Sequence, residues 1–313
     1  MNITILGSGA FGLALAHSLL INKNNITIWS KFEEETSKLK NIYTKFKFTN
    51  NLQETITTTD IIIIAIPIEF IQNTLIELKQ YNYKGIILIA SKGIETKQNK
   101  FAYEILESIL PNNQYGILSG GTFAKDMQEN SIMGITLATT SPNVIELSKK
   151  ALKNNILKLE ISNDIIGVSI CGAIKNVMAI GFGILDGANY PESSKFLFLT
   201  EAILEIKNII KHLKGNEKTI LSYAGIDDIM MTCTSSKSRN YTLGFMIGIN
   251  EEKNKIEEYK SNTTIEGLKT TKAFYTLIKE KSIYSPIVTA IYNILYQEKD
   301  KKELINYLKK LEK

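Results

Sequence analysis

Several residues of this sequence are of types and spacings that do chemistry. Lys175 interrupts the apolar run Gly167-Val-Ser-Ile-Cys-Gly-Ala-Ile-Lys-Asn-Val-Met-Ala-Ile-Gly181. A lysine in such a run must snorkel, pair or work. Cys171 and Gly172 lie three to four positions earlier, on the same helix face, and their small side chains leave room for a ligand over the ammonium. Burial there would lower the lysine pKa and suit it to general acid/base work, the plain alternative being a structural pairing at a domain junction. Asp228 and Thr232 are four apart on a helical pattern and offer a carboxylate and a hydroxyl to the same ligand. Asp227 beside them reads as a helix cap. Arg239 is a permanently charged fork suited to phosphate, and Asn240 adds a neutral donor; without a ligand this segment is a solvated basic loop. Lys92, in Ser91-Lys92-Gly93-Ile94-Glu95, follows an apolar strand at the end where open α/β sheets hold ligands, although a solvated loop lysine gives the same pattern.

The elements that position these residues begin at the N-terminus. Met1–Leu6 reads as a buried strand, Gly7-Ser-Gly-Ala-Phe-Gly12 as a turn and Leu13–Leu20 as a helix. That order fits the dinucleotide fingerprint: Gly7 turns the chain, Gly9 admits a pyrophosphate, Gly12 packs helix on strand, and the helix N-terminal amides face the phosphates. Asn25–Trp29 is a second strand ending at Ser30-Lys31. A basic residue there tolerates the 2′-phosphate of NADP, so Lys31 tilts the cofactor toward NADP without excluding NAD. Glu33, Glu34 and Glu35 read as a helix first turn, where carboxylates suit the dipole. Neither His17 nor His212 falls in any cluster, so in a dehydrogenase the proton carrier would be lysine.

Further apolar runs at 60–67, 85–90, 115–118 and 134–139 continue the βα alternation, with Pro67 flanking the cofactor, until about residue 164. Beyond it the periodicity is helical. The expected fold class is therefore α/β plus all-α: a doubly wound sheet over 1–163 and a helical substrate domain over 164–313. The end of the chain reads as an amphipathic helix with Leu304, Ile305, Leu308 and Leu311 on one side.

Composition narrows the function classes. Of 313 residues 44% are hydrophobic and 22% charged, and Lys+Arg 37 against Asp+Glu 32 leaves a formal +5. That is too mildly basic for nucleic acid and better matched to a small anionic substrate. Cys171 and Cys233 lack partners at metal-ligand spacing, so no metal site and no disulfide framework is expected, and a reducing cytoplasm follows. A start directly on a strand argues against a targeting segment, and no stretch is expected to reach the length of a membrane span.

Taken together, the motifs resemble the NAD(P)-dependent sn-glycerol-3-phosphate dehydrogenase family. The matches are Gly7-x-Gly-Ala-Phe-Gly-x-Ala-Leu-Ala16, Ser91-Lys-Gly-Ile-Glu95, Ser119-Gly-Gly-Thr-Phe-Ala124, Gly172-Ala-Ile-Lys-Asn-Val-Met-Ala-Ile-Gly181, Ala224-Gly-Ile-Asp-Asp-Ile-Met-Met-Thr-Cys-Thr234, Ser238-Arg-Asn240 and Thr264-Ile-Glu-Gly267. They occur in family order over nearly the whole chain.

The resemblance implies an N-terminal Rossmann domain, a C-terminal helical domain and a homodimer. The implied reaction is reversible NADPH- or NADH-dependent reduction of dihydroxyacetone phosphate to sn-glycerol 3-phosphate, for phospholipid synthesis. Lys175 matches the family's general acid/base, Lys92 the lysine touching cofactor and substrate, and Asp228 the substrate-site carboxylate. Ser238, Arg239 and Asn240 match substrate-phosphate and cofactor contacts; Gly120, Thr122 and Ala124 match cofactor and substrate positions; Glu266 matches the contact to the nicotinamide end. Gly7, Gly9, Ala10, Phe11, Gly12 and Lys31 fall on the nucleotide side, with Phe11 where many members have Trp and Lys31 where they have Arg or His. Departures are Gly120-Gly121 for a glycine-proline, Ser193 and Ser194 for Asn-Ala, and Glu201 for an Arg. Competing readings are a β-hydroxyacid or ketopantoate dehydrogenase, which would not require the phosphate site at Arg239-Asn240, and a cofactor-binding regulator without turnover.

Overall fold

The computed structural model describes residues 1–310, so Leu311 lies outside the described residues. The strands, in chain order, are β1 (Asn2–Leu6), β2 (Asn25–Trp29), β3 (Lys47–Thr49), β4 (Ile61–Ile64), β5 (Ile86–Ile89), β6 (Ile94–Glu95), β7 (Lys100–Phe101), β8 (Tyr115–Ser119), β9 (Met133–Ala138) and β10 (Leu157–Ser162). The first helices are α1 (Ala10–Leu20), α2 (Glu33–Ile42), α3 (Leu52–Ile56), α4 (Ile71–Gln80), α5 (Ala102–Ile109), α6 (Ala124–Gln128) and α7 (Pro142–Leu152). Then come α8 (Ile165–Gly187), α9 (Glu192–His212), α10 (Asp228–Cys233), α11 (Arg239–Gly248), α12 (Lys253–Asn262), α13 (Glu266–Glu280), α14 (Pro286–Tyr296) and α15 (Lys302–Lys309).

Residues 1–92 and 101–165 pack as one unit, and 93–100 with 166–313 as another. In the first, eight strands run in the order β10-β9-β8-β5-β4-β1-β2-β3. The chain leaves β1 toward β2 and β3, then returns to β4 on the other side of β1. Reversals of this kind open a crevice at the carboxyl ends of the strands, which is where such sheets bind ligands. Every residue of β4 and β5 is buried, because helices cover both faces of this part of the sheet, so the isoleucine runs carry no polar alternation.

The βα alternation does not hold throughout. β9 runs antiparallel to β8 and β10 parallel to β9. The connection from β8 to β9 contains only the five-residue α6, and the chain turns back instead of crossing over to a parallel position. β10, Leu-Lys-Leu-Glu-Ile-Ser, is an edge strand in which only Leu157 is fully buried.

The helical unit is built around α8. This helix is 23 residues long and apolar enough to cross a membrane, so the expectation that no stretch reaches that length is corrected; 83% of its apolar window is buried within the protein, as in the core helix of a globular domain. Gly183 and Gly187 of α8 meet Gly244 and Gly248 of α11 backbone to backbone: a Cβ on Gly244 would collide with the Ile180 carbonyl oxygen, and one on Gly183 with that of Tyr241. Gly244→Ala should therefore separate the two helices at a cost of about 2 kcal/mol, within the range for overpacking. At about 2–4 °C per kcal/mol for a domain of this size, a thermal melt should fall by about 4 °C or more, and an unchanged melting temperature would contradict so close a crossing.

Buried Glu205 on α9 fixes the start of α14, accepting hydrogen bonds from the amides of Ile287 at 2.8 Å and Val288 at 3.0 Å and from the Ser285 hydroxyl. Leu304, Ile305 and Leu308 form the buried side of α15.

Candidate active site

In the first unit the glycine turn closes onto the sheet. Gly7 adopts φ +128°, and any side chain there would strike the Ala65 carbonyl. A Cβ on Gly12 would strike the carbonyl oxygen of Gly7, so the packing of α1 against the turn also requires glycine. At Gly9, by contrast, a Cβ would meet nothing within 4 Å. The space over the start of α1 is open to a group approaching the backbone. Gly9 caps α1 without a side-chain hydrogen bond, and the first turn of α1 itself holds no acidic residue, so its amides are directed at that space. These features fit a dinucleotide pyrophosphate. Ala10 and Phe11 form the first turn of α1, and Lys31 is exposed just beyond β2.

Next to the turn, Ser91 follows β5 and donates through its hydroxyl to the Ile66 carbonyl. Lys92 is half-buried and donates to the Gly120 carbonyl at 3.3 Å. Gly120 packs so tightly on Gly134 and Ile135 that a side chain would collide with their backbone. Thr122, also half-buried, donates to the same Gly120 carbonyl at 3.4 Å, and Ala124 begins α6. Lys92, Gly120 and Thr122 are thus one local group at the ends of β5 and β8.

In the helical unit the Lys175 ammonium is buried and donates to Oδ1 of Asp228 and, at 3.2 Å, to the Thr232 hydroxyl. Asp228 is 0% exposed. The charge that apolar α8 would otherwise strand is paired with a carboxylate as buried as itself. Thr232 lies one turn after Asp228 on α10 and donates to the same carboxylate oxygen at 3.3 Å. Asp227 does not cap: the π-helical turn Tyr223–Asp227 runs into α10, Asp227 makes no capping hydrogen bond, and the Ser222 hydroxyl instead accepts from the Gly225 amide at 3.2 Å.

One position after Lys175 begins a second network. Asn176 donates to Oε2 of Glu266 at 3.0 Å and accepts from the Asn240 side-chain amide at 2.9 Å; the oxygen of Asn240 accepts from the Gly267 amide at 2.9 Å. Asn240 and Glu266 are therefore tied together through Asn176, a residue whose polarity within an apolar helix was the only signal in the sequence. Arg239 opens α11 and is exposed, whereas Ser238 is buried as its N-cap, its hydroxyl accepting from the Tyr241 amide at 3.3 Å.

The atypical 186–201 stretch forms a cluster of its own. Buried Lys195 reaches Asp186 and Glu192, both at 2.6 Å, and the Tyr241 hydroxyl donates to Asp186. These contacts hold the Lys195 ammonium above its ordinary range, chiefly through the hydrogen bond to Asp186. Glu201, in place of an Arg, is buried.

Two family models match nearly the whole chain: the N-terminal part of NAD-dependent glycerol-3-phosphate dehydrogenase over residues 2–145 and its C-terminal part over 164–306. A glycerol-3-phosphate dehydrogenase [NAD(P)+] of Staphylococcus aureus is 30% identical over 99% of this chain and 98% of its own length. The same activity names a Staphylococcus haemolyticus protein, 29% identical over 98% of this chain and 97% of its own. In fold, the chain matches a glycerol-3-phosphate dehydrogenase structure from Coxiella burnetii with a TM-score of 0.92 at 24% identity, covering 99% of both chains.

Proposed function

The chain belongs to the NAD-dependent glycerol-3-phosphate dehydrogenase family, and from that premise we propose the residue roles by which it reduces dihydroxyacetone phosphate to glycerol 3-phosphate with NAD(P)H. The observation that carries the assignment of roles is the buried Lys175–Asp228–Thr232 cluster. Bound NAD(P)H supplies the hydride to the substrate C2. Lys175 gives its proton to the oxygen on that carbon as negative charge develops there, and takes it back in the reverse direction. Asp228 and Thr232 fix the position of the ammonium. Lys92 is assigned to cofactor and substrate, where its positive charge would stabilise developing negative charge. Gly7, Gly9, Ala10, Phe11 and Gly12 cradle the pyrophosphate; Lys31, Ala124 and Glu266 complete the cofactor contacts, with Glu266 held by Asn176.

Arg239 and Asn240 take the substrate phosphate, with Ser238 beside them, and Gly120 and Thr122 are assigned to the substrate in the nucleotide-binding part. The exposed guanidinium provides a charged fork, and Asn240, with its oxygen occupied by the Gly267 amide, has one amide hydrogen to give. Binding energy gained at the phosphate, remote from C2, serves to orient the ketone. Arg239→Ala should raise KM for dihydroxyacetone phosphate by about tenfold or more, the weight of one charge-assisted hydrogen bond. An unchanged KM in steady-state assays would remove Arg239 from the phosphate site.

The product serves phospholipid synthesis, and the enzyme works as a cytoplasmic homodimer. Exposed Phe196, Leu197 and Leu204 on α9 support a second copy as the partner, and the buried thiols of Cys171 and Cys233 suit a reducing compartment. A division at 163/164 separates the nucleotide-binding part from the substrate part, except that residues 93–100 pack with the latter.

A further inference from the structure

Lys31 is the residue by which the sequence tilts toward NADP, but a carboxylate is held in place beside it. β1 and β2 are adjacent and parallel, with Leu6 and Trp29 in register at their ends. The first residues past those ends include Ser8, inside the glycine turn, and Ser30. Glu35, in the first turn of α2, bridges them: its Oε2 accepts from the Ser8 hydroxyl at 2.6 Å and from the Ser30 hydroxyl at 2.7 Å. Ser30 is itself fixed, accepting from the Phe32 amide at 3.3 Å. Those two hydrogen bonds, from Ser8 first and Ser30 second, hold the Glu35 carboxyl below the usual carboxylate range, so it is anionic at neutral pH. Both hydroxyls go to one oxygen, and Oε1 takes no hydrogen bond among the described residues.

In a sheet of this topology, the adenosine ribose of a dinucleotide lies beyond the end of β2, and an acidic residue about 20 positions after the glycines accepts from its 2′-hydroxyl. Glu35 stands 23 positions after Gly12, beyond the canonical strand-end position and already in the helix, but its hydrogen bonds return the carboxylate to the strand ends. On the reading of this chain as an NAD(P)-dependent dehydrogenase, we propose that Glu35, positioned by Ser8 and Ser30, accepts the ribose 2′-hydroxyl and makes NADH the preferred cofactor. A 2′-phosphate would place a dianion against this fixed carboxylate. Lys31 and Glu35 are both exposed, but Lys31 opposes that repulsion as a strongly hydrated charge on a flexible stem, whereas Glu35 is already ordered by its two hydrogen bonds to Ser8 and Ser30.

Trp29, the single tryptophan, ends β2 and gives a binding signal independent of turnover. NADH and NADPH are titrated separately against the full-length protein by Trp29 fluorescence. The expected Kd for NADH is lower than that for NADPH by about tenfold or more, as for a charge-assisted hydrogen bond exchanged for repulsion. Glu35→Gln, which keeps the side-chain size and the acceptor for the serines, should shift the Kd ratio at least about tenfold toward NADPH. Lys31→Ala should weaken NADPH alone, by a smaller factor. Tighter NADPH binding in the unaltered protein, or a Glu35→Gln variant that weakens both cofactors equally, would overturn the proposal and leave the dehydrogenase assignment intact. Failure to bind either cofactor would overturn the dinucleotide reading itself, and this proposal with it.

Discussion

Lys175→Ala should lower kcat for dihydroxyacetone phosphate by about 10³-fold, within the usual contribution of a positioned general acid, while leaving the Kd for NADH nearly unchanged. The separation follows from where the parts lie in the chain. The glycine turn of Gly7, Gly9 and Gly12, to which we assign the pyrophosphate, belongs to the first unit, and Lys175 belongs to α8 in the other. Truncation also strands Asp228, which is fully buried, so the variant loses stability, and its kcat must be measured well below its melting temperature. Lys175→Arg supplies the control: it keeps a cation for Asp228 but cannot release a proton, so it should restore the melting temperature and not the turnover. Near-normal kcat in both variants would remove Lys175 from the chemistry.

The second large effect is expected at Asp228. Asp228→Ala leaves the Lys175 ammonium buried with the Thr232 hydroxyl but without its carboxylate, and losing one partner of a buried pair costs about 3–5 kcal/mol. The melting temperature should fall by about 10 °C. Asp228→Asn retains the shape and a hydrogen-bond acceptor, so it should be the more stable variant, yet with turnover reduced by about 10²-fold because the ammonium is no longer held by charge. Thermal melts and initial rates on the same samples separate the two consequences. Full activity in Asp228→Asn would reduce the carboxylate to a packing role.

The nucleotide half was legible because its requirements are local. Gly7, Gly9 and Gly12 each answer a different steric need within one turn, and solid isoleucine runs such as Ile61–Ile64 declare a strand covered on both faces. The helical half declared Lys175, Asp228 and Thr232 through their types, but their meeting spans 53 positions from lysine to aspartate, which no local pattern encodes. Asn176 escaped as a hub for the same reason, since its partners Asn240 and Glu266 lie 64 and 90 positions away. The reversal between β8 and β9 was hidden because a parallel and an antiparallel strand of the same apolar composition look alike in sequence. Asp227 and Asp228 show the limit from the other side. Adjacent aspartates at a helix start invite the capping reading, but the preceding π-helical turn gives the cap to Ser222. Glu35 likewise reads as one of three first-turn carboxylates until its contacts with Ser8 and Ser30 set it apart.

The most direct test of the account is oxidation of NADH or NADPH by the purified protein with dihydroxyacetone phosphate, set against unphosphorylated dihydroxyacetone. Rapid oxidation with the phosphorylated ketone and little with the unphosphorylated one is the predicted result if, as proposed, the ketone is oriented through its phosphate. Equal rates with both ketones would contradict the phosphate site at Arg239 and Asn240, and no oxidation with either ketone, despite measurable cofactor binding, would contradict the assigned reaction.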